Sequence, residues 1–245
     1  MPNCEWVFKR VRDPNVLLLH VLGARFRIGI LACEGIAAMA RSKSSKKWLT
    51  EHFDDPYVKK AQKLGLRSRS AFKLMEMDEK YGLIKPGSCV VDLGCAPGGW
   101  CQVAVARVGG KGRVVGLDVL DIQTLAGVEF IQGDFTQDEP LQQLVKLLGG
   151  QQVDLVLSDM APNMSGMAVT DQTKAMYLAE IALDFVRAHL KPGGDFLVKV
   201  FHGEGFDDYV REARRAFNKV VVRKPDASRS RSREVYLLAR GHKVG

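Results

Sequence analysis

Four aspartates and a lysine hold the positions in this chain from which chemistry can be done. Asp92, Asp118, Asp134 and Asp159 each stand at or just beyond the carboxyl end of a short apolar run, and Lys199 interrupts another, Phe196 to Phe201. Open α/β sheets bind ligands outside the carboxyl ends of their strands, so acids at these positions converge on one crevice. Directly after Asp92 comes Leu93-Gly94-Cys95-Ala96-Pro97-Gly98-Gly99-Trp100, a glycine-rich turn leading into apolar residues of helical character. Gly94, Gly98 and Gly99 remove side chains where the backbone turns sharply and approaches a ligand, so a nucleotide-sized ligand is expected over this turn.

The spacing G-x-G-x-x-G of dinucleotide cradles is absent, as is the phosphate-binding G-x-x-x-x-G-K-[ST], and both phosphate cradles are thereby disfavoured. Charge is the stronger discriminator. Carboxylates around a crevice repel a pyrophosphate but suit a ligand that lacks phosphate and carries cationic groups. S-adenosylmethionine, with its sulfonium, ammonium and ribose hydroxyls, fits that description. Each acid taken singly has a duller reading as a helix or turn cap; all four together are better explained by a shared ligand.

These residues need a scaffold, and the chain supplies alternating strands and helices after the turn signal Lys85-Pro86-Gly87. Strand one is expected at Cys89 to Leu93, helix one at Gly99 to Val108, strand two at Arg113 to Leu117 and strand three at Val128 to Gln132. A short helix follows at Leu141 to Leu148, then strand four at Val153 to Leu157 and a helix from Asp171, read as its N-cap, to about Leu190. Pro192-Gly193-Gly194 reads as a turn into strand five, Phe196 to Phe201. Strands six, Val220 to Val222, and seven, Val235 to Ala239, complete a doubly wound, Rossmann-like α/β sheet of seven strands. Asp118 lies about twenty residues beyond the glycine turn, the place from which an acid reaches ribose hydroxyls. Asp134 is placed to accept from an adenine amino group, and strand four delivers Asp159 into the loop at the topological switch point. Before the sheet, Phe72, Leu74 and Met75 mark a helix running to Tyr81 and ending at Gly82; Lys73 lies on it, and its spacing does not distinguish it from a solvated lysine. Lys199 differs: a lysine inside a central apolar strand is costly to bury uncompensated, which weighs a functional role against a snorkelling one.

With 245 residues, 46% of them hydrophobic, the chain can bury one substantial core. Its five cysteines form no C-x-x-C pair, so neither a zinc site nor a disulfide framework is indicated, no metal is expected, and a reducing cytoplasm is the simplest location. The net charge of +8 is segregated: residues 39 to 73 hold ten Lys/Arg against three acids and residues 211 to 245 eleven against three, whereas residues 74 to 210 hold ten against nineteen. An acidic centre between two basic ends is the electrostatic footprint of a nucleic-acid binder that takes a cationic cofactor. The basic residues within 41 to 69 and 223 to 233 are accordingly expected to hold RNA phosphates.

Residues 1 to 38 differ in character, with Arg10, Arg12, Arg25 and Arg27 around Val16-Leu17-Leu18-Leu19 and few acids. The pattern suits a secretory signal, a mitochondrial presequence, or residues upstream of a true start at Met39. The apolar run is too short and broken to span a membrane. The third reading is favoured, because the residues after Met39 read as a complete domain: 1 to 38 is expected to be an extension outside the fold, and 39 to 245 a single domain opening with short basic helices around Trp48-Leu49 and Tyr57-Val58.

Taken together, these motifs resemble the FtsJ/RrmJ (RlmE) family of ribosomal RNA ribose 2'-O-methyltransferases over essentially all of residues 39 to 245. The resemblance rests on Trp48-Leu49 with Glu51-His52-Phe53, Gly65-Leu66-Arg67-Ser68-Arg69, Val91-Asp92-Leu93-Gly94 with Ala96-Pro97-Gly98-Gly99-Trp100, and Ser158-Asp159-Met160-Ala161-Pro162-Asn163-Met164-Ser165-Gly166. It continues through Lys199-Val200-Phe201, Gly203-Glu204-Gly205-Phe206-Asp207, Arg223-Lys224-Pro225 and Ser232-Arg233-Glu234-Val235-Tyr236. It implies the methyltransferase form of the doubly wound sheet, with the last strand antiparallel, and a catalytic tetrad at Lys73, Asp159, Lys199 and Glu234. It also implies S-adenosylmethionine contacts at Gly98, Trp100, Asp118, Asp134 and Asp159, beside the Asp92, Gly94 and Gly99 that the turn itself suggests. The implied substrate is a uridine in the A loop of 23S ribosomal RNA within the large (50S) ribosomal particle, and the implied enzyme is a cytoplasmic monomer with no membrane partner. Cys95 stands where the family often has alanine and His202 where glutamine is usual, and the segment before Met39 has no counterpart in the family's bacterial pattern.

Methyl transfer to a ribose hydroxyl is an in-line displacement that also moves one proton, so most of the catalysis is positioning. A neutral Lys199 amine can take that proton; Asp159 and Glu234 favour charged lysines, so the tetrad titrates as a coupled set, and Lys199 can equally orient the hydroxyl. Two other classes of function fit parts of the sequence. A noncatalytic RNA-binding assembly protein would not need the tetrad, and a small-molecule methyltransferase would not need the basic ends.

Overall fold

The computed structural model describes residues 20–21, 24–25 and 55–243. The chain divides into two units at Trp48. In the first, the described residues are a two-residue antiparallel ladder, His20–Val21 with Ala24–Arg25. The expected boundary at Met39, the extension 1 to 38 otherwise, and the basic segment from Arg41 to Asp54 lie outside the described residues.

The second unit is built on a seven-stranded sheet: β1 (Cys89–Leu93), β2 (Arg113–Asp118), β3 (Val128–Gln132), β4 (Val153–Ser158), β5 (Leu190–Phe201), β6 (Phe217–Arg223) and β7 (Glu234–His242). Their order across the sheet is β3-β2-β1-β4-β5-β7-β6. The first five run parallel, and β7 is antiparallel to both of its neighbours. All five residues of β1 are buried, Asp92 included, as expected of a parallel strand covered on both faces. The helices are α1 (Pro56–Lys63), α2 (Ala71–Tyr81), α3 (Gly99–Val108), α4 (Asp138–Leu148), α5 (Ala168–His189) and α6 (Phe206–Ala216). No helix among the described residues is long and apolar enough to cross a membrane.

The two-residue period of a strand sends neighbouring side chains to opposite faces, and the core divides accordingly. Val91, Leu93, Val156, Phe196, Val198 and Leu237 pack with α5 and α6 on one face. Val90, Leu155, Leu157, Leu197, Tyr236 and Leu238 pack with α2 and α3 on the other. Lys199 shares the parity of Leu197, Glu234 that of Tyr236, and Asp159 that of Leu157, so three tetrad positions face the side of the sheet covered by α2. Lys73 meets them there from the helix.

Several expected boundaries move, among them the start of the helix expected at Leu141 to Leu148, which lies at Asp138. The helix predicted to begin at an Asp171 N-cap begins at Ala168, because the Asp171 carboxylate reaches back from inside the first turn and accepts from Ser165 N at 2.7 Å and Gly166 N at 3.0 Å. The turn at Pro192-Gly193-Gly194 falls within β5: Val153 pairs with Leu190 and Leu155 with Asp195, so four residues bulge opposite Asp154 before the ladder resumes. Gly194 fits there because a Cβ would stand 3.0 Å from Asp154 O. Strands six and seven are longer than predicted, their ladder running to Phe217 opposite His242. Helix α6, not anticipated, buries Phe206, Tyr209, Val210 and Ala213, a helical spacing that the sequence does display.

Candidate active site

Chain direction creates the site. From β1 the chain moves outward through β2 and β3, then returns to the opposite side of β1 for β4, so the carboxyl ends of β1 and β4 diverge into separate loops at the sheet's centre. Between them opens a cavity of about 310 Å³. Gly94, Asp118, Asp134 and Asp159 line it, with apolar walls from Leu117, Phe135 and Met160. Among the described residues, no lysine or arginine lines it.

Each acid is held by its neighbourhood. Asp118 accepts from Ala96 N at 2.8 Å and Leu120 N at 2.9 Å, tying the glycine turn to the loop after β2. Asp134 accepts from Thr136 N at 2.9 Å and Thr136 Oγ1 at 2.8 Å. Asp92 is the exception to the expected ring of four: fully buried beneath the turn, it does not line the cavity. Its Oδ2 accepts from Cys101 Sγ at 3.2 Å, and its Oδ1 has no hydrogen-bond partner among the described residues. Burial above all, then the charges of Asp159 and Asp118, push the Asp92 carboxyl up to about 7 against the pull of the Cys101 contact.

A stability prediction follows from that shift. A carboxyl raised in the fold binds its proton more tightly there than in the unfolded chain, so stability falls as pH rises from the ordinary carboxyl range near 4 and levels off above about 7. Asp92→Asn removes this dependence. Its unfolding free energy relative to the parent should grow across that window, by up to roughly 4 kcal/mol in order of magnitude. Denaturant titrations at pH 4.5 and 8 check it; a pH-independent difference contradicts it.

The glycine turn is shaped by the protein as much as by any ligand. Gly94 has φ +76°, and a Cβ there would stand 2.6 Å from the Met160 side chain; Gly98 has φ +102° and abuts Arg67. Gly98, Gly99 and Trp100 are not among the residues lining the cavity. Trp100 is buried behind the turn, donates from Nε1 to Ser70 O at 2.8 Å, and packs its ring 5.7 Å from that of Tyr236.

Lys73, Asp159, Lys199 and Glu234 come together in one chain of contacts. Lys73 Nζ meets Glu234 Oε1 at 2.6 Å and donates to Tyr236 Oη at 3.1 Å. Tyr236 Oη donates to Asp159 Oδ1 at 2.7 Å. Lys199 Nζ lies 3.0 Å from the same Oδ1 and donates to Asp159 O at 2.5 Å. Lys199 and Tyr236 are direct cross-strand partners, as are Phe201 and Glu234. Burial pushes the Asp159 carboxyl up, but Lys199, Lys73 and the Tyr236 hydroxyl outweigh it and hold the group below the usual carboxylate range. Burial, with Asp159 and Glu234 adding to it, raises the Tyr236 phenol well above its ordinary value, so it stays a hydrogen-bond donor. Spacing alone did not single out Tyr236. Its signal was available, since a tyrosine two residues after Glu234 in a strand shares that residue's face.

A second cavity, of about 480 Å³, opens from the other side of the tetrad, lined by Lys73 and Glu234 with Arg69, Arg229, Arg231 and Ser232. Some basic residues expected to face RNA have partners within the protein: Arg69 pairs with Asp55 at 3.0 Å, and Lys224 donates to Ser232 O at 2.7 Å. An acid-lined cavity and an arginine-lined one thus meet at buried Lys73 and half-buried Lys199.

Proteins of known family share this architecture. A family model described as FtsJ-like methyltransferase matches residues 66–242. The chain is 63% identical over 201 residues to a ribosomal RNA large subunit methyltransferase E from Alkalilimnicola ehrlichii, covering 82% of this chain and 96% of that protein. It is 59% identical over 206 residues to the protein of the same name from Legionella pneumophila, covering 84% and 100%. A crystal structure of a Plasmodium falciparum ribosomal RNA methyltransferase matches with a TM-score of 0.66 at 30% identity, covering 72% of this chain and 98% of that one. With its motifs, its strand order and these relatives in agreement, the chain belongs to the FtsJ-like methyltransferase family.

Proposed function

We propose that the protein uses S-adenosylmethionine to methylate a ribose 2'-hydroxyl of large-subunit ribosomal RNA, at a uridine in the A loop of 23S RNA. The observation that carries this reading is the meeting, at one tetrad, of a cavity walled by the carboxylates of Asp118, Asp134 and Asp159 and a cavity walled by arginines. The names of the closely similar relatives specify the large subunit; the A-loop uridine rests on the family resemblance. The protein acts as a cytoplasmic monomer on the 50S particle, and residues 39 to 245 form its methyltransferase domain.

The residues around the first cavity suit the cofactor. Asp118 and Asp134 present carboxylate oxygens for ribose hydroxyls and an adenine amino group, Gly94 gives backbone access, and Asp92, Gly98, Gly99 and Trp100 support the turn from behind. When bound, S-adenosylmethionine supplies an electrophilic methyl carbon on a sulfonium. The chain does the rest. Asp159, held ionised, fixes Lys199 through its side chain and its own carbonyl, which leaves Lys199 one Nζ position for a substrate oxygen. The neutral amine of Lys199, whose two N–H bonds go to Asp159 and whose lone pair stays free, takes the hydroxyl proton, while Lys73, held by Glu234 and Tyr236, restrains Asp159 through the Tyr236 hydroxyl and adds positive charge near the reacting oxygen.

Incubation with tritium-labelled cofactor tests the reading. Label should enter large-subunit RNA and not small metabolites; entry into metabolites favours a small-molecule methyltransferase, and no transfer favours an RNA-binding assembly factor. RNA affinity should also fall steeply with salt. Arg229→Ala and Arg231→Ala should each lower the log–log slope by about 0.7 to 0.9. Binding that is independent of salt contradicts the phosphate contacts.

A further inference from the structure

The segment from Gly65 to Ser70 is fastened to the glycine turn and to helix α3 at several points. Arg67 N donates to Gln102 Oε1 at 2.7 Å, Gln102 Nε2 donates back to Gly65 O at 3.1 Å, and Trp100 Nε1 donates to Ser70 O. The Arg67 side chain does more. Its Nη1 donates to Pro97 O at 3.3 Å and to Gln123 O at 2.6 Å, and its Nη2 donates to Thr124 O at 2.9 Å. Pro97 belongs to the glycine turn; Gln123 and Thr124 belong to the loop after β2, whose Val119 and Leu120 line the acid-walled cavity. A single guanidinium therefore spans two of the backbone loops that bound that cavity. Gly98 is matched to it, because a Cβ there would stand 3.0 Å from Arg67 Nη1 and 3.1 Å from Cδ. Arg69, two residues on, lines the opposite cavity instead.

We propose that Arg67 is a positioning residue of the cofactor cavity, clamping the glycine turn to the loop after β2, and not a contact to RNA. Three bonds to main-chain carbonyls engage the planar fork of the guanidinium, which a lysine ammonium on a single stem cannot reproduce across two loops. The clamp fixes the cavity's width and the place of Asp118, whose carboxylate joins the same two loops. Its neighbour Arg69 serves the substrate side, so basic residues that sequence groups together divide between the two ligands.

The inference rests on the cavity being the S-adenosylmethionine site, and the test separates the two. S-adenosylhomocysteine binding to the full chain is measured by calorimetry for the parent, Arg67→Ala, Arg67→Lys and Arg69→Ala, with RNA affinity measured against salt for each. Both Arg67 variants should bind S-adenosylhomocysteine about tenfold or more weakly, the scale of losing several hydrogen bonds. They should raise KM for the cofactor while leaving KM for RNA, the salt slope and the single-turnover rate at saturating cofactor near parental values. Millimolar guanidinium should restore part of the affinity of Arg67→Ala. Arg69→Ala should show the reverse, with RNA affinity lost and cofactor affinity kept. Parental S-adenosylhomocysteine affinity in Arg67→Ala, or full rescue by Arg67→Lys with a reduced salt slope in Arg67→Ala, overturns the clamp. If the parent itself binds no S-adenosylhomocysteine, the reading of the cavity falls and takes the clamp's purpose with it.

Discussion

Lys199→Met should reduce single-turnover methyl transfer by about a thousandfold, within the range usual for loss of a positioned acid–base group and equal to about 4 kcal/mol of barrier. Cofactor affinity should stay close to parental, because Lys199 is not among the residues lining the acid-walled cavity. Asp159 keeps its bond from Tyr236 in this variant, so the loop after β4 remains anchored. Lys199→Arg is the informative companion. Arginine preserves the positive charge beside Asp159 but stays protonated at any working pH, so it cannot take a proton from the hydroxyl. Its rate should be nearly as low as that of methionine. Substantial turnover by Lys199→Arg across neutral pH would exclude general-base action and leave Lys199 an orienting group.

Asp159→Ala should have the broadest effect of any single substitution in the site. Asp159 lines the acid-walled cavity, holds Lys199 through its side chain, and accepts from the Tyr236 hydroxyl. Its removal leaves Lys199 without the counter-charge that faces it, and breaking a fully buried pair in this way costs about 3 to 5 kcal/mol. That range is an upper bound here, since the Asp159 side chain retains 17% exposure at the cavity. Turnover and cofactor affinity should therefore both fall, with a measurable loss of thermal stability, in contrast to Lys199→Met. Isothermal titration with S-adenosylhomocysteine, beside single-turnover rates, distinguishes the two patterns; unaltered cofactor affinity in Asp159→Ala contradicts the placement of this carboxylate at both ligands.

The sheet was legible because parallel strands are apolar on both faces, and runs such as Val90-Val91 and Leu155-Val156-Leu157 announce themselves. The acids were legible because each interrupts or ends such a run. Asp92 shows the limit of that logic: position at a strand's end does not reveal whether a carboxylate opens toward a ligand or is sealed beneath the turn, and here Cys101 and the covering helix seal it. Lys73 was invisible to spacing, since its meaning depends on which sheet face α2 covers, a long-range fact. Tyr236 and the helix of Phe206–Ala216 were written in strand parity and helical spacing and could have been read. The different placement of Arg67 and Arg69 could not, because charge composition treats them alike: Arg67 bonds the carbonyls of Pro97, Gln123 and Thr124, whereas Arg69 bonds Ala227 O and Asp55 and lines the second cavity.

The central claim, tetrad-dependent ribose methylation in the A loop of 23S RNA, is tested most directly by primer extension at low nucleotide concentration. The template is 23S RNA from large ribosomal particles of cells lacking this gene, after incubation with cofactor and either the parent protein or Lys199→Met. A stop at an A-loop uridine that appears only with the parent protein is the expected result. Label transferred without such a stop, or an equal stop with Lys199→Met, contradicts it.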